Sequence, residues 1–146
     1  MCVVTGANKG IGKAIAKALA LTPGHLCIAT ARSDPRGQAA VAELVLEGVP
    51  EESIEFKQLD LDSPESIAAF ATWLGETHRS LDVLVNNAAI AFNSTSPEPF
   101  SQQARPTIYT NFAQTVLLTD CCCCLLALWR GYCGHRRTMG EVGEHA

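Results

Sequence analysis

Excess charge of one sign, long apolar runs and internal repeats are all missing from this chain. Its 146 residues hold 11 Lys and Arg against 15 Asp and Glu, a formal net charge of -4 that gives no electrostatic case for a nucleic-acid partner. The longest apolar run lies near the C-terminus, is broken by Asp120 and falls short of a bilayer span, so no membrane partner is expected. The first residues enter a strand-like run, Cys2-Val3-Val4, without a charged and apolar leader, and a cytoplasmic location is the expectation. Serine stops at Ser101, lysine stops at Lys57, and the tyrosines are Tyr109 and Tyr132 alone.

Cysteine is not scarce, with 7 in the chain, but its placement argues against disulfides. Cys2 and Cys27 sit within apolar runs, where cysteine acts as a small hydrophobe, and Cys121 to Cys124 are consecutive. Reduced thiols are expected. Zinc needs separated ligand pairs that can reach a tetrahedron, so the cysteine run, with Cys133 and His135 beyond it, reads as no metal site. A hydrophobic content of 47% and a charged content of 18% describe a soluble globular chain, long enough for one domain with a core and too short for two.

The stretch that organises the rest is Thr5-Gly6-Ala7-Asn8-Lys9-Gly10-Ile11-Gly12. It follows the apolar strand at Cys2-Val3-Val4 and runs into Ile11, Ala14, Ile15, Ala18 and Leu19, whose spacing predicts a helix with one apolar face. A strand, a glycine-rich turn and a helix start together make an anion site, because the first N–H groups of the helix are unpaired and its dipole adds roughly half a positive charge. Gly6 permits the tight turn, Gly10 lets backbone approach a pyrophosphate, and Gly12 allows close packing of helix on strand. An ordinary structural turn would also use glycine; the strand before and the helix after are the context that a dinucleotide motif needs.

Further along, Leu26 to Thr30 reads as a second strand. Asp34-Pro35 reads as an N-cap with proline at the first helical position, and Val41, Leu44 and Val45 as the apolar face of the helix that follows. Ile54 to Leu59 makes a third strand, Ser63-Pro64 starts a helix carrying Ile67, Phe70, Ala71 and Leu74, and Asp82 to Asn86 makes a fourth strand. Ser94 to Pro99 is a polar loop, and Pro106 precedes a last helical pattern through Ile108, Phe112 and Val116 that dissolves after Leu118. Strands alternating with helices imply right-handed β-α-β crossovers and a parallel sheet. The expected fold is α/β, a Rossmann-like doubly wound sheet, incomplete, of about four strands in the order 3-2-1-4. Residues 1–118 form the domain and 119–146 a divergent tail. The loops after strands one and four then straddle the switch point where a cofactor lies.

Arg32 stands just past the second strand. In dinucleotide folds an acidic residue there binds the ribose hydroxyls of NAD, whereas an arginine accommodates the 2′-phosphate of NADP. Arg36 follows one helical turn on. Alternatively both are solvated arginines at a helix start.

The octet as a whole resembles the short-chain dehydrogenase/reductase family, and Asn8 and Lys9 resemble its carbonyl reductase branch. The resemblance implies a site for NADP(H) built from Gly6, Asn8, Lys9, Gly10, Ile11 and Gly12, with Arg36 as a second phosphate contact. It assigns Asp60 to the adenine amino group and Leu61 to the ring, while Asp62 reads equally well as a cap or turn residue. Asn86-Asn87-Ala88-Ala89 resembles the family's Asn-Asn-Ala-Gly, in which backbone approaches the cofactor ribose; Ala89 adds a Cβ that matters if the position needs positive φ. Ala91-Phe92 is again similar to carbonyl reductases, and Asn111 resembles the helix asparagine that holds a water in the family's proton relay, although a helical asparagine also serves as an ordinary satisfied polar residue.

The resemblance covers about residues 2–118 and stops before the family's catalytic serine and Tyr-x-x-x-Lys. Tyr132 and Arg136 have the tyrosine-to-lysine spacing, but no strand or serine precedes them, and the pair reads as coincidence. The chain is therefore expected to be the cofactor-binding half of an NADPH-dependent carbonyl reductase, inactive as it stands, with a carbonyl substrate only in the full-length family. The alternatives are a non-catalytic NADP-binding or interaction module, or an unstable truncated or mistranslated product. Oligomeric state stays open.

Overall fold

The computed structural model describes residues 1–93 and 96–126. Its elements alternate: β1 (Cys2–Val4), α1 (Gly10–Ala20), β2 (Cys27–Ala31), α2 (Asp34–Leu46), a 3-10 turn (Glu51–Ser53), β3 (Ile54–Gln58), α3 (Pro64–Thr77) and β4 (Val83–Val85). After a loop come α4 (Phe100–Ile108), a π-helical stretch (Tyr109–Gln114) and α5 (Thr115–Cys123). The four strands are parallel in the order β3-β2-β1-β4, as expected, with Cys2 beside Cys27 and Val83, and Val4 beside Ala29 and Val85.

Side chains of a strand alternate between faces, and β1 is buried on both. Cys2 and Val4 join Cys27, Ala29, Ala16, Ala20 and Leu44 in one apolar layer beneath α1 and α2. Val3 and Ile28 face the other way, against Ile67, Phe70 and Leu74 of α3 and Leu118 and Cys122 of α5. Helices on both faces of a parallel sheet make the doubly wound architecture. The Cys27 thiol, hydrogen-bonded to Cys2 and buried, is held far above its ordinary range.

Several local expectations shift. α2 begins one residue early, with Ser33 at the N-cap position and Asp34 already helical. α3 starts as read, with the Ser63 hydroxyl accepting from Ser66 N at 3.1 Å. In α1 the buried residues are Gly12, Ala16 and Ala20, with Ile15 and Leu19 packed beside them, while Ile11 is 75% exposed. Small residues take the sheet-facing positions because they let the helix approach closely.

The largest difference lies after the loop. Pro106 sits inside α4 rather than ahead of a helix, and the register changes to π at Tyr109. Proline removes one backbone donor and crowds the carbonyl of the preceding turn, the strain that a change of helical register relieves. In the altered register Thr110, Gln114, Leu118 and Cys122 turn inward, and the apolar row that the pattern suggested points out: Ile108, Phe112 and Val116 are 62%, 67% and 43% exposed. The helix also continues past Leu118 to Cys123. Beyond it Leu126 bridges Leu81 in parallel, and Leu81 N donates to Leu125 O at 2.8 Å. Tyr132, Cys133, His135 and Arg136 lie outside the described residues.

Candidate functional site

The site forms where β1 and β4 end. Thr5, next after β1, is buried, and its hydroxyl accepts from Asn87 N and Ala88 N, both at 2.9 Å, while donating to Val85 O at 3.3 Å. The Asn87 side chain returns the contact, its Nδ2 donating to Thr5 O at 2.8 Å. β2 joins through Ala7 N, which donates to Thr30 O at 2.8 Å. The ends of β2, β1 and β4, neighbours in the sheet, are thus held edge to edge.

The turn between them needs its glycines for different reasons. Gly6 has φ +66°, in the left-handed region, and lies against Ala88. A Cβ on Gly12 would stand 2.4 Å from both Asn87 Nδ2 and Gly6 O, so close packing at that position involves the turn itself and Asn87. Gly10, with φ +56°, faces open space. No side chain caps the start of α1, whose N-cap position is Lys9 in extended geometry. Uncapped N–H groups beside an open glycine leave room and donors for an anion.

These loops border a cleft of about 750 Å³. Gly6, Asn8, Lys9, Gly10, Ile11 and Gly12 line one side, Arg32 and Arg36 come from the β2–α2 junction, Asp60 and Leu61 from the end of β3, and Asn87, Ala88 and Ala89 from the end of β4. Residues far apart in sequence therefore share one cavity. Ile11, which the helical pattern placed on the apolar face, contributes its exposed side chain here instead. Ala89 fits without strain, since Arg79 is the one non-glycine with positive φ among the described residues. Asn111 stands just behind the cleft with its side chain engaged: Ile90 N donates to Oδ1 and Nδ2 donates to Ile90 O, each at 2.8 Å. Its amide pins the segment after β4 through one hydrogen bond in each direction.

The sequence pattern gives no cleft role to Thr5, Thr30, Ile90 or Thr110 and leaves Asp62 as a cap or turn residue; all of them line the cleft. Asp62 N donates to Asp60 Oδ1 at 3.0 Å, Thr110 Oγ1 donates to Asp62 Oδ1 at 2.5 Å, and Arg32 Nη1 lies 3.7 Å from Asp62 Oδ2. The position of Thr110 directly before Asn111 was the available signal, but the partner is 48 residues away. Among the described residues no three Cys, His, Asp or Glu side chains converge as a metal site requires.

The sequence profile of the short chain dehydrogenases matches residues 1–130. The chain belongs to the short-chain dehydrogenase family. Similar family members include carbonyl reductase (NADPH) 3 of Rattus norvegicus, 47% identical over 115 residues, covering 79% of this chain and 40% of the relative. Human carbonyl reductase (NADPH) 1 is 46% identical over 128 residues, covering 88% of this chain and 44% of that protein. The chain thus spans about two-fifths of the length of the curated short-chain dehydrogenases that it matches. Among solved structures, the NADPH-bound carbonyl reductase from chicken fatty liver superposes with a TM-score of 0.67 at 34% identity, covering 82% of this chain and 48% of its own. Menthone neomenthol reductase from Mentha piperita gives 0.75 at 28% identity, covering 86% of this chain and 55% of its own.

Proposed function

We propose that this chain is the NADP(H)-binding half of an NADPH-dependent carbonyl reductase and that on its own it does not turn over carbonyls. One observation carries the cofactor reading: Arg32 and Arg36 line the same cleft as the uncapped start of α1. The names of its carbonyl reductase relatives support it. When bound, the dinucleotide supplies the hydride. In this chain Gly10 and the first N–H groups of α1 hold the pyrophosphate, and Arg32 and Arg36 the 2′-phosphate. Asp60 and Leu61 receive the adenine, and Asn87 to Ala89 flank the nicotinamide ribose. Every residue lining the cleft falls within 1–118, which we assign as the binding unit.

Reduction of a carbonyl also needs a proton donor tuned near neutral pH and a group to polarise the oxygen. With no serine after Ser101 and no lysine after Lys57, this chain offers neither in the family's arrangement. That lack favours a second reading, a dinucleotide-binding module without catalysis. No helix among the described residues is long and apolar enough to cross a membrane, and a cytoplasmic location accompanies the proposal.

A hydrogen bond to a charged group contributes roughly 1.5–3 kcal/mol net, so one arginine–phosphate contact gives about ten- to a hundredfold preference for NADPH over NADH. Fluorescence titration of both cofactors against the wild type and Arg32→Asp tests this. The expected result is an NADPH preference that the substitution abolishes. Equal affinities in both proteins would remove the arginine from the site.

A further inference from the structure

The mouth of the cleft holds an acidic group that the reading above leaves without a task. Where a dinucleotide fold selecting NAD carries an acidic residue after its second strand, this chain has Arg32. Another element nevertheless brings a carboxylate to the tip of that arginine. Asp62, just past β3, lies with Oδ2 3.7 Å from Arg32 Nη1. Its other oxygen accepts from the hydroxyl of Thr110 at 2.5 Å, and Thr110 is buried. Its backbone N–H is tied to Asp60 Oδ1 at 3.0 Å. Both the backbone and the side chain of Asp62 are therefore fixed, with one oxygen left facing the guanidinium. Arg32 and Asp62 both line the cleft.

We propose that Asp62 is a second specificity determinant of this cleft, opposing the 2′-phosphate that Arg32 favours. The inference rests on the NADP(H) reading. An ionised carboxylate only accepts hydrogen bonds, so a ribose 2′-hydroxyl can donate to Asp62 while Arg32 stays paired with it. A 2′-phosphate is anionic and accepts only, so it must share or take over the guanidinium and stand near a like charge. Both effects act in the same direction. The pair is solvent-exposed on both sides, so its hold on Arg32 is modest and a phosphate can displace it. The chain thus carries an arginine and an acid that select opposite cofactors, and Asp62 narrows the preference that Arg32 creates.

Asp62→Asn tests this without removing the anchor, because asparagine keeps an acceptor oxygen for Thr110 and the same backbone N–H. Dissociation constants for NADPH and NADH are measured on the wild type, Asp62→Asn, Arg32→Ala and the double variant, with thermal melts confirming that each folds. Asp62→Ser serves as a second variant if asparagine perturbs the loop. The expected result is NADPH binding about two- to tenfold tighter in Asp62→Asn, NADH unchanged or weaker, and a smaller gain once Arg32 is absent. Weaker NADPH binding in Asp62→Asn would make the carboxylate a positioning group for Arg32 and overturn the inference. So would an equal shift for both cofactors, which would place the effect at the adenine end. If Arg32→Ala leaves NADPH binding intact, or the wild type binds neither dinucleotide, the NADP(H) reading itself fails and this inference with it.

Discussion

Thr5 holds the end of β1 to the end of β4 with one hydroxyl, which accepts two backbone N–H groups and donates to a third partner. Thr5→Val keeps the shape and strands the Ala88 amide, whereas Asn87 N keeps Val85 O at 3.1 Å; an unpaired buried donor costs about 1–3 kcal/mol, so a urea melt should show a loss of that size that Thr5→Ser restores. Gly12→Ala should be worse for binding than for its size, since the new Cβ meets the turn carbonyl and Asn87 Nδ2 at 2.4 Å and neither can withdraw without opening the cleft. Loss of dinucleotide binding by calorimetry, with the helical content kept, is the expected pattern. Ala89 behaves oppositely. Having no positive φ, it is not a strained stand-in for glycine, and Ala89→Gly should leave NADPH affinity within about twofold while lowering stability by a few tenths of a kcal/mol through backbone entropy.

The run from α4 through the π stretch to α5 is where sequence periodicity misleads. Ile108, Phe112 and Val116 recur at intervals of four and read as a buried stripe, yet their outward aim leaves three large apolar side chains exposed. Hydrogen bonding joins the burial of Leu118 and Cys122 in orienting this run: the Thr110 hydroxyl reaches Asp62 and the Asn111 amide clamps residue 90, which commits that face inward. Such a patch promotes association, so light scattering should rise with protein concentration and fall in Phe112→Glu. At the far end of α5 the cysteines separate by environment. Burial pushes the Cys122 thiol up to about 12, whereas Cys124 is exposed. At pH 8 iodoacetamide should modify Cys124 first and reach Cys122 only when α5 undocks, because the thiolate is the reactive form. Early labelling of Cys122 in the native protein, read by peptide mass spectrometry, would show that the helix is not packed as described.

For the molecule as a whole, the strongest expectation is binding without chemistry. NADPH oxidation with a panel of quinones, aldehydes and ketones should stay at background, since a phenol near pKa 10 donates poorly without a neighbouring cation and no tyrosine here is followed four residues on by lysine. Turnover that disappears in Tyr132→Phe would reinstate Tyr132 and Arg136 as a working pair, and turnover indifferent to that change would place the donor elsewhere in the chain.

How much of this was legible in the residues follows from the range of the forces involved. The order of strands and helices, the glycine turn and the strand sequence 3-2-1-4 are local or topological consequences. Apolar period, proline and glycine placement and the handedness of crossovers leave few alternatives, and a single sequence expresses them all. The residues proposed to bind the dinucleotide, from Gly6 to Ala89, line one cleft for the same reason, because they lie in the loops and first helical turns that follow the strands, and all strand ends of a parallel sheet meet on one side. Three things came only with the folded chain. The π register after Pro106 is a compromise between a missing donor and tertiary hydrogen bonds, and it reversed the apolar face of the helix. The burial of Gly12, Ala16 and Ala20 instead of Ile11 and Ala14 reflects how near α1 lies to the sheet, a distance that no helical period encodes. The meeting of Asp62, Thr110 and Arg32 joins positions up to 78 residues apart, from 32 to 110, whose side chains have no sequence relation until two loops and the π-helical stretch come together at one cleft.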